Sequence, residues 1–339
     1  MPELLDIEQH LPLLAYLRRE GHIAPDETPQ FTNLSGGVSS RTVLMQRANG
    51  EGWVLKQSLE KLRVATDWFS DPQRVHCEAA ALRWLAQLTP PGSVPAFIFE
   101  DFTHHVMAMQ AVPQPHVNWK VLMLGGGLKI EHAIAFGRLL AAIHRNAYLR
   151  FDEVAPDFEN CTFFGSLRIE PYYQYTATQV PEVAPFIHAL IEDTLPLRLT
   201  FVHGDYSPKN VLIYQDQPVL LDYEVAHIGD PAFDLGFSTT HLLSKAHHLP
   251  QQRTDFARAA QAYWDTYEQH LGDVPWKAGL QARAVRHTLG CLLARVSGRS
   301  PLEYMNADER AHQREVVVSI MMKPPTIYAD LIHIFTNRL

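Results

Sequence analysis

The hydrophobic period of this chain changes once, near Pro113, and that change limits its architecture more than any other feature. From Gln30 to Val112 the apolar residues come in short, β-rich runs broken by glycine and proline. Beyond Pro113 they follow a helical period through "KIEHAIAFGRLLAAIHRNAY", "PEVAPFIHALIEDTL", "TDFARAAQAYWDTYEQHL" and "AGLQARAVRHTLGCLLARV". Strands gathered in one part and helices in the other indicate an α+β chain rather than an alternating α/β one. We expect a small β-rich N-lobe over residues 1–110, a hinge at Gln110–Pro115, and a larger helical C-lobe over residues 111–339. At roughly 150 residues per domain, 339 residues suit two units.

Local signals refine this picture. "DIEQHLPLLAYLRREG" carries an apolar stripe at Ile7, Leu11, Leu14 and Leu17, with Gly21 as a helix stop. Asn49–Gly50 between two β-rich runs predicts a hairpin. "PQRVHCEAAALRWLAQL" predicts a helix over Pro72–Leu88, with Pro72 in its first turn. "SVPAFIFED" and "HHVMAMQAV" predict two further strands. Within the helical part, "NVLIY" and "PVLLDY" form a second hairpin about the polar turn Gln215–Gln217.

A net charge of −8 argues against nucleic acid as a partner, because phosphate-backbone binding needs a basic footprint. It leaves ATP open, since backbone amides, one lysine and Mg²⁺ suffice to hold it. Cys77, Cys161 and Cys291 are odd in number and far apart, as expected of reduced thiols in a cytoplasmic protein. No apolar run is long enough to cross a membrane, and no basic stretch is followed by the apolar stretch of a signal peptide, so a soluble cytoplasmic protein is expected. The 18 histidines lack metal-site spacing and are expected mostly on the surface.

The chemistry concentrates in "HGDYSPKNVLIYQDQPVLLDYE", His203–Glu224. The hairpin brings Asn210, before its first strand, towards Asp222, at the end of its second. An amide oxygen and a carboxylate are hard ligands that suit Mg²⁺. Asp205 is then free to accept the proton of an attacking hydroxyl, which is the division of labour in phosphoryl transfer. Three upstream features fit the same reaction. "NLSGGVSSRTVL" is a glycine turn whose amides at Gly36, Gly37, Val38 and Ser39 suit phosphate. Lys56 interrupts the apolar strand "WVLKQ". Glu78 interrupts the apolar helix "HCEAAALRWL" and needs a cationic partner if buried.

This order of motifs, ending in "HGDYSPKN" and "LLDYEVAHIGDPAFDLG", resembles the protein-kinase-like small-molecule kinases: the aminoglycoside phosphotransferases, choline kinases and methylthioribose kinases. The resemblance spans about Gln30 to Ser244. It implies a bilobal kinase fold with Asp205 as catalytic base, Asn210 and Asp222 as Mg²⁺ ligands, Lys56 on the ATP phosphates and Glu78 as its partner. It also implies adenine against the backbone of Gln110–Val112, with His203 and Asp234 bracing the catalytic loop. Ser207 stands where many protein kinases carry a lysine. Lys209 either supplies that charge to the transition state or faces solvent.

The expected acceptor is a hydroxyl of a small polar molecule. "VLKQSLEKLR" and "LLARVSGRSPLEY", with Arg295 and Arg299, look most like methylthioribose kinases. The aromatics of Phe163–Tyr175 either line an acceptor pocket or pack the core. Alternatives are an aminoglycoside phosphotransferase, which needs an acidic pocket, and a nucleotide-binding pseudokinase. Glu224 after Asp222–Tyr223, and the short path to "GDPAFDLG", disfavour a protein substrate. Oligomeric state is left open.

Overall fold

The computed structural model describes residues 5–34, 39–63 and 68–339. Gly36, Gly37 and Val38 lie outside the described residues. The fold is a bilobal, kinase-like α+β arrangement. Strands β1 (Gln30–Asn33), β2 (Ser40–Gln46), β3 (Gly52–Ser58), β4 (Phe97–Asp101) and β5 (Val106–Gln110) form an antiparallel sheet in the order β1-β2-β3-β5-β4. The β2–β3 hairpin turns at Asn49–Gly50, where Gly50 takes a φ of +86°.

Because side chains alternate along a strand, β3 serves two helices at once. Trp53 and Leu55 join the core under α1 (His10–Arg19), while Lys56 faces α2 (Arg74–Leu88). The buried face of α1 is Leu13, Tyr16 and Leu17, with Ile7 ahead of the helix. Leu11, expected in that stripe, is 81% exposed, because the helix starts only at His10 and turns Leu13 inward instead. Gly21 ends the helix at φ +73°, and His22 N–H closes on the Leu17 carbonyl. Helix α2 begins two residues after Pro72.

The helical part contains α3 (Ile130–Leu149), α4 (Ala184–Thr194), α5 (Ala232–His248), α6 (Arg253–Leu271), α7 (Leu280–Ser297), α8 (Ala307–Met321) and α9 (Tyr328–Arg338). Helix α3 packs on α6, and α5 on α7. Phe163–Tyr175 is largely a π-helix, Gly165–Gln174, a form frequent at functional sites. Short strands β6 (His116–Asn118), β8 (Val211–Tyr214) and β9 (Gln217–Leu220) make one small sheet, and β7 (Thr200–Val202) pairs with β10 (His227–Gly229). The larger core runs without a break from Val75, Ala79 and Leu82 of α2 and Met107 and Met109 of β5 into the helical part.

The histidines correct the expectation of mostly surface positions: of the 18, three are exposed, eight are half-buried and seven are buried. They take part in internal polar networks, as His144 does with Asp234 and Tyr267. The three cysteines are free thiols, of which only Cys291 is fully buried. Among the described residues no helix is long and apolar enough to cross a membrane, and no three His, Cys, Asp or Glu side chains converge as a metal site.

Candidate active site

The catalytic-loop candidates follow β7 and are fixed from behind. Asp234, in the first turn of α5, accepts hydrogen bonds from the N–H groups of His203 (2.7 Å) and Gly204 (2.8 Å). Gly204 has a φ of +75°, and a Cβ there would come within 2.8 Å of the Val225 carbonyl, so the turn requires glycine. His203 is buried and neutral: its Nδ1 accepts from Asp205 N–H (3.1 Å) and its Nε2 donates to the Leu221 carbonyl (3.2 Å). Burial holds its pKa below the ordinary range. Tyr206 stacks on Phe136 and donates to its carbonyl, anchoring the loop to α3.

Asp205 is 6% exposed and fully engaged. Its Oδ1 lies 3.0 Å from Arg168, and its Oδ2 accepts from Asn210 Nδ2 (2.7 Å) and lies 3.4 Å from Lys209 Nζ. Burial alone would raise its pKa, but the charges of Arg168 and Lys209 hold it below the usual aspartate value. Asp205 is therefore an anion ready to accept a hydrogen bond from a hydroxyl.

Asn210 and Asp222 come together at the open end of the β8–β9 hairpin, where Leu221 N–H donates to the Asn210 carbonyl (2.9 Å). Asp222 adopts φ +68°, which turns its carboxylate towards the sheet. Lys56 Nζ sits 2.8 Å from Asp222 Oδ1 and 2.6 Å from Glu78 Oε2. Burial opposes the charge on Lys56, and the carboxylates of Asp222 and Glu78 more than restore it. Asp222 is held well below the usual range against its own burial, chiefly by Lys56. Among the described residues, the second Asp222 oxygen and the Asn210 amide oxygen accept no hydrogen bond. Two hard oxygens with free lone pairs fit a divalent cation such as Mg²⁺.

At the hinge, Gln110 N–H is bonded to the Ala96 carbonyl and Ala111 N–H to the Gly52 carbonyl. Among the described residues the backbone groups of Val112 have no partner. The Ser39 carbonyl, directly after the glycine turn, accepts from Leu59 N–H and from Arg74.

Residues 30–270 match the model of the "Phosphotransferase enzyme family". The chain belongs to that family. No curated protein matches its sequence. Among solved structures it is similar to the amicoumacin kinase hAmiN in complex with AMP-PNP, Ca²⁺ and Ami (TM-score 0.59, 14% identity, 95% of this chain and 99% of that one). It is also similar to a choline/ethanolamine kinase family protein from Mesorhizobium loti (TM-score 0.56, 15% identity, covering 96% and 98%). The apoenzyme of macrolide 2′-phosphotransferase MphH from Brachybacterium faecium shares the fold as well (TM-score 0.52, 18% identity, covering 92% and 98%). The family match makes the chain a phosphotransferase, and these likenesses show the fold it shares.

Two arginines of this phosphotransferase escaped the sequence reading. Arg74, with no exposed surface, bonds Glu224 Oε2 (3.0 Å) and the carbonyls of Ser39, Leu59 (2.6 Å), Ser70 (2.9 Å) and Asp71 (3.0 Å). The usable signal was Glu224 itself, a carboxylate in an apolar run that needs a buried partner. Arg168 donates to the Gly204 carbonyl (2.7 Å) and lies 5.5 Å from the ring centroids of both Tyr172 and Phe237. It stands in the π-helix, whose period no helical template reproduces.

Lys209 keeps about half its side chain exposed, while its carbonyl is pinned by Asn118 Nδ2 (2.7 Å). Arg295 donates to Tyr172 Oη (3.0 Å) and to Ser300, and Arg299 pairs with Glu170 (2.7 Å). Tyr172 and Tyr173 are buried, whereas Phe163 and Tyr175 are partly exposed. The aromatic run therefore divides between core and surface.

Proposed function

We propose that this phosphotransferase moves the γ-phosphoryl group of ATP to a hydroxyl of a small, polar, sugar-like acceptor. The observation that carries the reading is the convergence of Lys56, Glu78, Asp222, Asn210 and Asp205 from four separate segments, a residue set that suits phosphoryl transfer. Lys56, kept charged by Glu78, binds the α- and β-phosphates. Val112 receives adenine. Asn210 and Asp222 hold Mg²⁺, which when bound neutralises charge on the β- and γ-phosphates.

Asp205 accepts the acceptor's hydroxyl proton and aligns its oxygen with the γ-phosphorus. A bond forms between that oxygen and phosphorus as the bond to the β,γ-bridging oxygen breaks. ADP leaves, and the proton passes from Asp205 to solvent. Lys209, beside Asp205 and still half-exposed, offers charge to the transferred group. Positioning and electrostatics supply most of the rate.

The test is Asp205→Asn. A positioned base contributes ~10²–10⁴-fold, so turnover should fall at least a hundredfold while ATP–Mg²⁺ still stabilises the protein. Near-normal turnover would sink the assignment. The acceptor has two readings. Arg295 supports a methylthioribose-like sugar, and the antibiotics named for two fold neighbours support an antibiotic. Growth of a sensitive host expressing the chain, with and without antibiotic, separates them.

A further inference from the structure

Beyond Asp205 the helical part gathers cations, and among the described residues two of them, Lys245 and Arg295, have no anion bonded to them. Arg168 bridges Asp205 to Tyr172 and Phe237. Tyr172 Oη accepts from Arg295, and His241 packs edge-on against Phe237 at 5.1 Å. One turn further along α5, Lys245 is wholly buried; its Nζ donates to the His241 carbonyl (3.1 Å) and lies 5.3 Å from the Tyr304 ring. Among the described residues every acceptor that Lys245 and Arg295 find is neutral. Among the described residues Arg295 Nε and the Tyr304 hydroxyl are buried with no hydrogen-bond partner. The charges of Arg295, Lys245, Lys209 and Lys120 all bear on His241. One carboxylate reaches this cluster from the segment after α7: Glu303, 61% exposed, paired with Lys120.

Buried cations are normally paired, and buried donors satisfied. Here the partner is missing from a wall continuous with Asp205. We propose that the acceptor carries an anionic group, a carboxylate or a phosphate, beside its reactive hydroxyl, and that Lys245, Arg295 and Lys120 receive it. The inference rests on the phosphotransfer reading above and narrows its substrate class. Glu303 gives up Lys120 as the anion arrives, and Tyr304, on the same segment, moves with it to open Lys245. The burial of Lys245 beside Arg295 and Lys120, which pulls its pKa down to about 7, is relieved when the anion binds. A polycationic acceptor would meet like charge along the whole wall.

The experiment measures ADP release by the full chain over acceptors matched in all but charge. Glycerol is set against glycerate, ribose against ribose 5-phosphate, and kanamycin serves as the polycation. At least one anionic acceptor should exceed its neutral partner about a hundredfold in kcat/KM, and the two pairs separate carboxylate from phosphate. Lys245→Met and Arg295→Gln should each raise KM for that acceptor at least tenfold with KM for ATP unchanged, and Glu303→Gln should lower it. Lys245→Met, which removes a buried unpaired cation, should also melt no lower than the parent, so lost activity cannot be blamed on misfolding. Preference for a neutral or cationic acceptor, or silence from every anion, overturns the proposal. Stabilisation by ATP–Mg²⁺ in that case leaves the kinase reading standing, and its absence overturns both.

Discussion

Arg74, in the first turn of α2, reaches Glu224 at 3.0 Å and in the same grip holds the carbonyls of Ser39 and Leu59. One buried guanidinium thereby links the segment after the glycine turn to the loop carrying Asp222. Removing one member of a buried pair strands the other charge, at about 3–5 kcal/mol. Arg74→Met should lose stability on that scale in urea denaturation and raise KM for ATP. Unchanged stability would show that the link is ornamental.

Asp205 takes its orientation from Arg168. A hydrogen bond to a charged group contributes about 1.5–3 kcal/mol, so Arg168→Met should lower kcat by about ten- to a hundredfold. Arg168→Lys keeps the charge and should recover part of that loss. A change confined to KM would place Arg168 on the acceptor rather than on Asp205.

In the proposed reaction, Lys56 needs Glu78 to stay in place once Asp222 turns to a metal. Glu78→Gln retains shape but removes charge, and KM for ATP should rise about tenfold or more with little change in melting temperature. Titration of the nucleotide against both proteins reads this directly, and equal affinities would count against the pairing having a role in binding.

His287 makes the fold acid-sensitive. It bonds Tyr173 Oη (2.8 Å) and Thr194 Oγ1 (3.2 Å), and burial lowers its pKa from 6.5 to about 3. The unfolded chain therefore binds a proton that the folded one refuses between those values. Stability falls as pH drops through that window, by up to ~1.4 kcal/mol per unit from this group. His287→Gln should flatten the slope measured between pH 6 and 4, and an unaltered slope would remove His287 as the cause.

What could be read from sequence was whatever obeyed a period or a spacing. The β2–β3 and β8–β9 hairpins, the long helices and the elements carrying Lys56, Glu78, Asp205, Asn210 and Asp222 all follow from such patterns. Arg74 and Arg168 did not, because their partners lie 150 and 37 residues away in sequence and meet only in the folded chain. Leu11 was misjudged because a stripe does not say where its helix begins. The histidines were misjudged because composition says nothing about the internal acceptors that let imidazole be buried.

The Lys56–Asp222 contact has one further consequence for the proposed reaction. The free protein already satisfies both charges, so entry of ATP–Mg²⁺ is an ion exchange in which Lys56 trades a carboxylate for phosphate and Asp222 trades an ammonium for the metal. Lys56 leaving for phosphate strands the Asp222 carboxylate unless a metal takes its place, so the two swaps should occur together, and nucleotide should bind more weakly when Mg²⁺ is withheld.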